Sequence, residues 1–319
     1  MRYLVTGCAG FIGSTLTDTL LGAGHEVVGV DCFTDYYARQ RKDANLAGAL
    51  AHEAFTLHTV DLARADLAEI VVGGIDGVFH QAAQAGVRAS WGAEFQTYTD
   101  CNVLATQRLL EAVKARAGGP VPVVYASSSS VYGNAEARPT REDALPAPIS
   151  PYGVTKLAAE HLVDTYRHEF AVPGTSLRYF TVYGPRQRPD MAFHKFVKSA
   201  LAGEPIGVYG DGNQSRDFTF ISDIVAANIA AMDALRAGDA GGTYNLGGGS
   251  TVTVREVVDL LSELLGSTVA ADFGDTQPGD VRHTSADTSR AQAALGFEPK
   301  ITLREGLGRE VEWLREVYG

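Results

Sequence analysis

Tyr152 and Lys156 lie four residues apart, a short way after the run Ser127-Ser128-Ser129-Ser130-Val131-Tyr132-Gly133. On a helix that spacing puts both side chains on one face. The lysine cation favours a phenolate, so the tyrosine is expected to fall from its reference of ~10 toward working pH. A serine hydroxyl could hold the same substrate oxygen. Such a trio takes a proton from an alcohol while another agent takes its hydride. The same spacing also suits a plain helix surface, so the reading depends on whether the chain builds a site for a hydride acceptor.

The N-terminus reads as that site. Arg2-Tyr3-Leu4-Val5-Thr6 has the β-branched and aromatic make-up of a strand, and Gly7-Cys8-Ala9-Gly10-Phe11-Ile12-Gly13 interrupts it. Phe11, Ile12, Leu16, Leu20 and Leu21 then recur at helical spacing, and Glu26-Val27-Val28-Gly29-Val30-Asp31 is a second strand ending in an acid. Gly7, Gly10 and Gly13 would give a tight turn, close approach to a pyrophosphate and close helix packing. The phosphates would rest on the helix N-terminus, where free amides and the dipole favour anions. Asp31 stands roughly 20 residues after the loop, where an acid binds a ribose 2′-hydroxyl and repels a 2′-phosphate, which selects NAD over NADP. A Gly-rich turn in an unrelated α/β protein would show only part of this order.

The elements that must position these groups alternate between strand and helix, which implies a parallel sheet covered on both faces. Candidate strands are 55–61, 77–83, 121–126 and 174–180, each ending in small or polar residues, where such sheets place ligands. Long amphipathic helices are expected over 102–113 and 152–170. The second opens with Ser150-Pro151, an N-cap followed by proline at the first helical position. Beyond Phe180 the pattern loosens, with Pro185, Pro189, Pro205 and the Asp211-Gly212 turn signal. A helix over 220–235 and a strand over 243–246 are expected to return to the main sheet, and Thr253-Val254-Arg255-Glu256 is a capping-box pattern. The fold class is therefore α/β, a Rossmann-type doubly wound parallel sheet with a smaller, discontinuous C-terminal lobe. The expected division is a dinucleotide domain of 1–180 plus about 218–250, and a substrate lobe of about 181–217 plus 251–319.

Composition agrees with an α/β enzyme. The chain has 319 residues, 45% of them hydrophobic and 20% charged, enough for a substantial core. A formal net charge of −11 argues against nucleic acid or an anionic membrane surface as partner. An anionic substrate would need a local cluster of arginines. The three cysteines, Cys8, Cys32 and Cys101, are odd in number and lack metal-ligand spacing, which points to reduced thiols and a cytoplasmic setting. Cys8 beside the loop reads as a small residue. The eight histidines show no metal-binding pattern, so no metal is expected. No signal peptide or apolar run of ~18 residues is visible.

Taken end to end, the chain resembles the extended short-chain dehydrogenase/reductases, specifically the NAD-dependent nucleotide-sugar epimerase/dehydratase family. The resemblance is carried by Thr6-Gly7-Cys8-Ala9-Gly10-Phe11-Ile12-Gly13, Asp61-Leu62, His80-Gln81-Ala82-Ala83, the Ser128/Tyr152/Lys156 set, Arg178-Tyr179-Phe180 and Arg216-Asp217-Phe218. It implies tightly held NAD, contacted also by Asp61 and Leu62 at the adenine and by Gln81, Ala82 and Ala83. It also implies a UDP- or dTDP-sugar substrate and a homodimer built on the two long helices. Tyr152 would take the C4 hydroxyl proton as C4 hydride passes to the nicotinamide, Ser128 would bond the oxygen, and Lys156 would hold the nicotinamide ribose.

Branches of the family differ after the 4-keto intermediate. Dehydratases carry an Asp-Glu pair after the catalytic Ser/Thr and UDP-glucuronate decarboxylases a Glu, whereas here Ser129 and Ser130 follow Ser128. Neutral hydroxyls cannot do the acid–base work of eliminating water, which leaves 4-epimerisation. The stretches 80–88 and 181–191 are similar to UDP-glucuronate 4-epimerases. A C6 carboxylate wants donors and no competing acid, which Ser129, Ser130 and Thr181 could supply. The expected substrate is UDP-glucuronate, converted to UDP-galacturonate, with UDP-glucose or UDP-N-acetylglucosamine as the alternative.

A carboxylated ketose is prone to lose carbon dioxide, and Arg188 is placed as a control on that loop. Arg216 and Arg282 match the family's phosphate-binding arginines, while Arg88 and Arg186 fit either that role or a solvated surface charge. Asn102 fits either a place beside the site or a backbone tie. Two other classes stand beside the epimerase: a dehydrogenase releasing NADH, and a non-catalytic NAD-binding sensor, which loss of Tyr152, Lys156 or the Ser128 hydroxyl would have favoured.

Overall fold

A computed structural model describes residues 1–72, 74–135, 137–239 and 241–318. Seven strands form one parallel sheet: β1 (Arg2–Thr6), β2 (Glu26–Asp31), β3 (Phe55–Thr59), β4 (Gly77–His80), β5 (Val123–Ser128), β6 (Gly174–Tyr179) and, later in the chain, β10 (Gly242–Leu246). Their order across the sheet is β10-β6-β5-β4-β1-β2-β3, so the winding reverses between β1 and β4. Ligand crevices of doubly wound sheets open at such a reversal, outside the carboxyl ends of the strands.

Helices α1 (Phe11–Gly22), α2 (Arg39–Leu50), α3 (Ala68–Val72), α4 (Phe95–Tyr98), α5 (Ala105–Lys114), α6 (Pro151–Phe170) and α8 (Ile221–Arg236) flank the sheet. All four residues of β4 and all six of β6 are buried, as expected for parallel strands covered on both faces. A smaller C-terminal lobe, discontinuous in sequence, is built from β7 (Thr181–Tyr183), β8 (Ile206–Tyr209), β9 (Ser215–Phe220), β11 (Ser250–Thr253) and β12 (Ala271–Gly274). Helices α7 (Ala192–Leu201), α9 (Val254–Leu265), α10 (Ser289–Leu295) and α11 (Leu303–Tyr318) complete it. Its strands pair as β11-β9-β7 and β12-β8. The aromatic rings of Tyr183, Phe193, Phe218 and Phe220 pack together at its centre, Phe193 stacking on Phe218 at 4.4 Å between centroids.

Local chemistry sets the ends of the two helices that matter most. The Ser150 hydroxyl accepts from the Gly153 amide at 3.1 Å, Pro151 follows, and α6 starts there, fixing Tyr152 and Lys156 in its first turns. Thr253 and Glu256 form the expected reciprocal capping box at the start of α9. Three expectations shift. The strands expected over 55–61 and 77–83 stop at Thr59 and His80, because the residues that follow leave the sheet to line the cavity above it. The helix expected over 102–113 is broken: α4 leads into a π segment, Thr99–Leu104, before α5 begins. Asn102, inside that segment, explains the break. Its side chain bonds both backbone groups of Gln84 and the Thr155 hydroxyl, which draws it away from regular helical stacking.

Candidate active site

The glycine loop after β1 is shaped by close backbone approach. Gly7 has φ +68°, and a Cβ there would lie 2.7 Å from the Ala82 amide nitrogen. A Cβ on Gly13 would run into the Gly7 carbonyl, so α1 can press against the loop only with glycine at that position. Gly10 is the N-cap of α1 and makes no side-chain cap, which leaves the first amides of the helix facing the crevice. At the end of β2, Asp31 accepts the Ala9 amide at 3.1 Å and the Phe33 amide at 2.8 Å. Each carboxylate oxygen keeps lone pairs for a further donor, such as a ribose hydroxyl.

One cavity collects these groups. It is lined by Gly7, Gly10, Phe11, Ile12, Gly13, Asp31, Asp61, Leu62, Gln81, Ala82 and Ala83, and at its far end by Tyr152, Lys156 and Arg188. The residues singled out from sequence for the cofactor thus share one space, and the glycine cradle has the shape a dinucleotide pyrophosphate requires. Gln81 is held from behind by the Asn228 side chain at 2.9 Å and by the Tyr179 hydroxyl at 3.1 Å. Neither Asn228 nor Tyr179 was singled out from sequence. Tyr179 lies within a family motif, while Asn228 carries no local signal.

The three candidate catalytic residues lie at the end of β5 and in the first turns of α6. Ser128 ends β5, and its hydroxyl accepts the Ser130 amide at 3.2 Å while also facing the Tyr152 phenol. Ser127, its neighbour, points the other way and donates to Glu160 at 2.7 Å. The Tyr152 ring meets Tyr98 edge to face at 6.2 Å between centroids. Lys156 is buried and its ammonium donates to the Ala126 carbonyl at 2.8 Å. Burial pulls Lys156 down to about 7. Its folded value therefore lies below its unfolded one, and this group adds stability as pH rises from about 7 toward its ordinary range.

Burial opposes the expected fall of the tyrosine. Burial pushes the Tyr152 phenol up; the Ser128 hydrogen bond and the Arg188 guanidinium pull it back, and Asp190 pushes it up again. The Lys156 ammonium rests on the Ala126 carbonyl at the end of β5.

Other candidates lie outside this cavity. Ser129 and Ser130 begin the short 3-10 turn after β5, half-buried, and Thr181 opens β7 opposite Phe218. Arg216 and Arg282 come together on the lobe, the Arg216 Nη1 donating to the Arg282 carbonyl at 3.1 Å. Arg88 reaches across to the same place, pairing with Asp280 at 2.5 Å and lying over the Tyr209 ring at 4.3 Å. Arg282 itself pairs with Asp211 at 3.2 Å. Arg186 departs from the group: it pairs with Asp18 on α1 at 2.7 Å and is a structural tie. Asn102 serves as a backbone tie, joining the Gln84 segment to α6. Cys8 is fully buried beneath the loop, and burial pushes its thiol well above the ordinary range. Among the described residues no group of three or more His, Cys, Asp or Glu side chains is placed to hold a metal ion. No described helix is long and apolar enough to cross a membrane.

Known proteins share this arrangement. The model of the NAD dependent epimerase/dehydratase family matches residues 3–247. The UDP-glucuronic acid 4-epimerase of Bacillus cereus, solved with UDP-glucuronic acid and NAD, is similar along the whole of both chains, with a TM-score of 0.95 and 40% identity. The UDP-glucuronate 4-epimerase of Thermodesulfobacterium geofontis is 38% identical over 318 residues, covering 98% of this chain and 96% of its own. The UDP-glucose 4-epimerase of Mycolicibacterium smegmatis is 37% identical over 322 residues, covering 99% of each chain. Fold and cavity together define an NAD-dependent enzyme of the extended short-chain dehydrogenase/reductase class. The chain belongs to the NAD dependent epimerase/dehydratase family, in its nucleotide-sugar epimerase branch.

Proposed function

We propose that the protein interconverts UDP-glucuronate and UDP-galacturonate by epimerisation at C4. The observation that carries this reading is a run of neutral hydroxyls at the end of β5 and the start of β7. Ser128 ends β5, Ser129 and Ser130 follow it and Thr181 opens β7, all neutral donors, where acids would repel a C6 carboxylate. Bound NAD would accept the C4 hydride and return it, which is the one piece of chemistry the chain does not itself supply. Tyr152 takes the C4 hydroxyl proton and gives it back, Ser128 holds that oxygen, and Lys156 holds the nicotinamide ribose. Because the hydride is returned, NAD stays bound and is regenerated in each cycle.

The nucleotide end rests on the lobe. Arg216 and Arg282 bind the diphosphate, and Arg88 closes over it from the Rossmann side. Among the described residues the hydrogen-bond partners of Arg216 are backbone carbonyls, at 3.0 and 3.1 Å, which suits a guanidinium reserved for an anion. The protein works as a homodimer through α5 and α6, which pack on each other through Gln107 and Tyr166 at 3.1 Å. These helices and the segment before them leave Phe95, Leu104, Val154 and Phe170 exposed. Its three cysteines are free, in keeping with the cytoplasm.

The test is to incubate the protein with UDP-glucuronate and, separately, UDP-glucose, without added NAD, and follow both by NMR. Formation of the galacto-uronate with little UDP-galactose is the expected result. The reverse preference makes it a UDP-glucose 4-epimerase, and net NADH release would make it a dehydrogenase. Thr181→Asn sharpens the test. Losing one charge-assisted hydrogen bond costs about 1.5–3 kcal/mol, so kcat/KM for the uronate should fall roughly 10- to 100-fold. UDP-glucose turnover should change far less, and an equal loss on both sugars would free Thr181 from any role at the carboxylate.

A further inference from the structure

We propose that His194 is a positioning residue that, through Gln187, fixes β7 and the loop after it at the sugar side of the site. This rests on the reading of Thr181 as a residue that meets the sugar. Gln187 stands in the loop between β7 and α7, one residue before Arg188, which lines the cavity with Tyr152. It is buried, and all of its polar groups are used. Its amide donates to the Gly184 carbonyl at 3.1 Å and its Nε2 to the Val182 carbonyl at 3.1 Å. Its Oε1 accepts the His194 amide at 2.9 Å, and its own carbonyl meets His194 Nδ1 at 2.7 Å. Val182 directly follows Thr181, so this one residue joins the strand that carries Thr181 to the loop that carries Arg188.

The loop needs such a fastening. Arg186, next to Gln187, has φ +70°, a left-handed conformation that is unfavourable for a residue with a side chain and persists only where its surroundings enforce it. The ion pair of Arg186 with Asp18 on α1 holds the loop from one side. His194 on α7 holds it from the other.

The hydrogen bonds that orient His194 have their direction fixed at both ends. A carbonyl can only accept, so the bond to Gln187 requires the proton on Nδ1. Nε2 is then an acceptor, and it receives the Tyr318 hydroxyl of α11 at 2.9 Å. The Tyr318 oxygen accepts in turn from Arg41 on α2, a guanidinium that can only donate. A one-way chain thus runs from α2 beside the main sheet, through Tyr318 and His194, to the loop. His194 is fully buried, with the Trp313 ring edge-on at 5.7 Å, and burial keeps the imidazole neutral by pulling it down to about 4.

Two measurements on the intact NAD-loaded protein test this. The first is the nitrogen NMR spectrum of the imidazoles at neutral pH, with the His194 signals assigned by their loss in His194→Asn. A neutral ring protonated on Nδ1 is expected; a proton on Nε2 overturns the proposal, since Gln187 would then receive nothing. The second is the Kd of UDP-glucuronate and of UDP-glucose by calorimetry, beside KM, kcat and bound NAD, for His194→Leu, His194→Asn and Tyr318→Phe. His194→Leu removes the donor to Gln187, so both sugars should bind roughly 2- to 10-fold more weakly, the worth of one hydrogen bond. NAD should be retained and kcat nearly unchanged, because the loop contributes to binding rather than to the reacting atoms. His194→Asn keeps a donor near the Nδ1 position and should restore most of that binding. Tyr318→Phe should weaken binding by less, and should add nothing in the His194→Leu background. Unchanged Kd in His194→Leu, or equal losses in the Leu and Asn variants, overturns the positioning role. Should His194→Leu fail to fold, an unchanged Kd in Tyr318→Phe overturns it instead. Wild-type binding separates the two readings: preference for UDP-glucose removes the carboxylate reading of Thr181, while a weaker Kd for that sugar in His194→Leu still upholds His194. Binding of neither sugar by the wild type removes both.

Discussion

Tyr152→Phe should fold normally, retain NAD and lose turnover by roughly 10²- to 10⁴-fold, the usual worth of a positioned acid–base group. The ring is kept, so its edge-to-face contact with Tyr98 and its place in the first turn of α6 persist. Only the proton acceptor and its bond with Ser128 disappear. The loss should fall on kcat and leave substrate binding nearly intact, because the phenol matters most where charge develops. NAD content measured on the purified variant, beside kcat and KM, checks both halves. Retention of more than a tenth of wild-type kcat would take the base role from Tyr152, and loss of NAD would mean that the hydroxyl also supports the cofactor.

Local signals carried the part of this arrangement that depends on short stretches of chain. The strand–glycine loop–helix–strand order fixed Gly7, Gly10, Gly13 and Asp31 around one crevice, because each glycine meets a backbone atom within its own βαβ unit or the adjoining strand. Ser150 and Thr253 capped their helices as their spacing implied. Helix α2 left no such signal. Of its twelve residues, Leu46 and Ala49 are buried alongside Lys42 and Asn45, so the polar residues break the apolar stripe that periodicity needs. Lys42 is satisfied there by the Thr34 carbonyl at 2.8 Å and Asn45 by the Ala9 carbonyl at 3.0 Å. Long-range polar pairs were equally silent. The Tyr36–Asp190 bond and the Glu310 bond to the Gly184 amide at 3.0 Å join segments more than a hundred residues apart. Helical spacing gives the face that Lys156 occupies, but the Ala126 carbonyl that receives its ammonium left no mark in that spacing.

Glu160→Ala should be the most destabilising single change near the site. Glu160 on α6 and Arg178 on β6 are an ion pair with side chains 7% and 6% exposed. Arg178 Nε donates to Glu160 Oε2 at 3.0 Å, Nη2 donates to the other oxygen, and Nη1 reaches the Tyr132 hydroxyl at 2.7 Å and the Glu142 carbonyl at 3.2 Å. Removing the carboxylate strands a buried guanidinium, which costs about 3–5 kcal/mol, a large fraction of the 5–15 kcal/mol that folding usually leaves. Urea unfolding should show that loss as a lower midpoint, and a cost below about 1 kcal/mol would mean that water or relaxation compensates the charge. The paired variant Glu160→Leu/Arg178→Met should be far less destabilised, since no charge is then left buried. Its activity should nevertheless fall. Glu160 also accepts the Ser127 hydroxyl at 2.7 Å, so the pair fastens the end of β5 to α6 and with it the distance from Ser128 to Tyr152. Stability recovered without activity would show that this ion pair is kept for that alignment, whereas recovery of both would reduce it to packing.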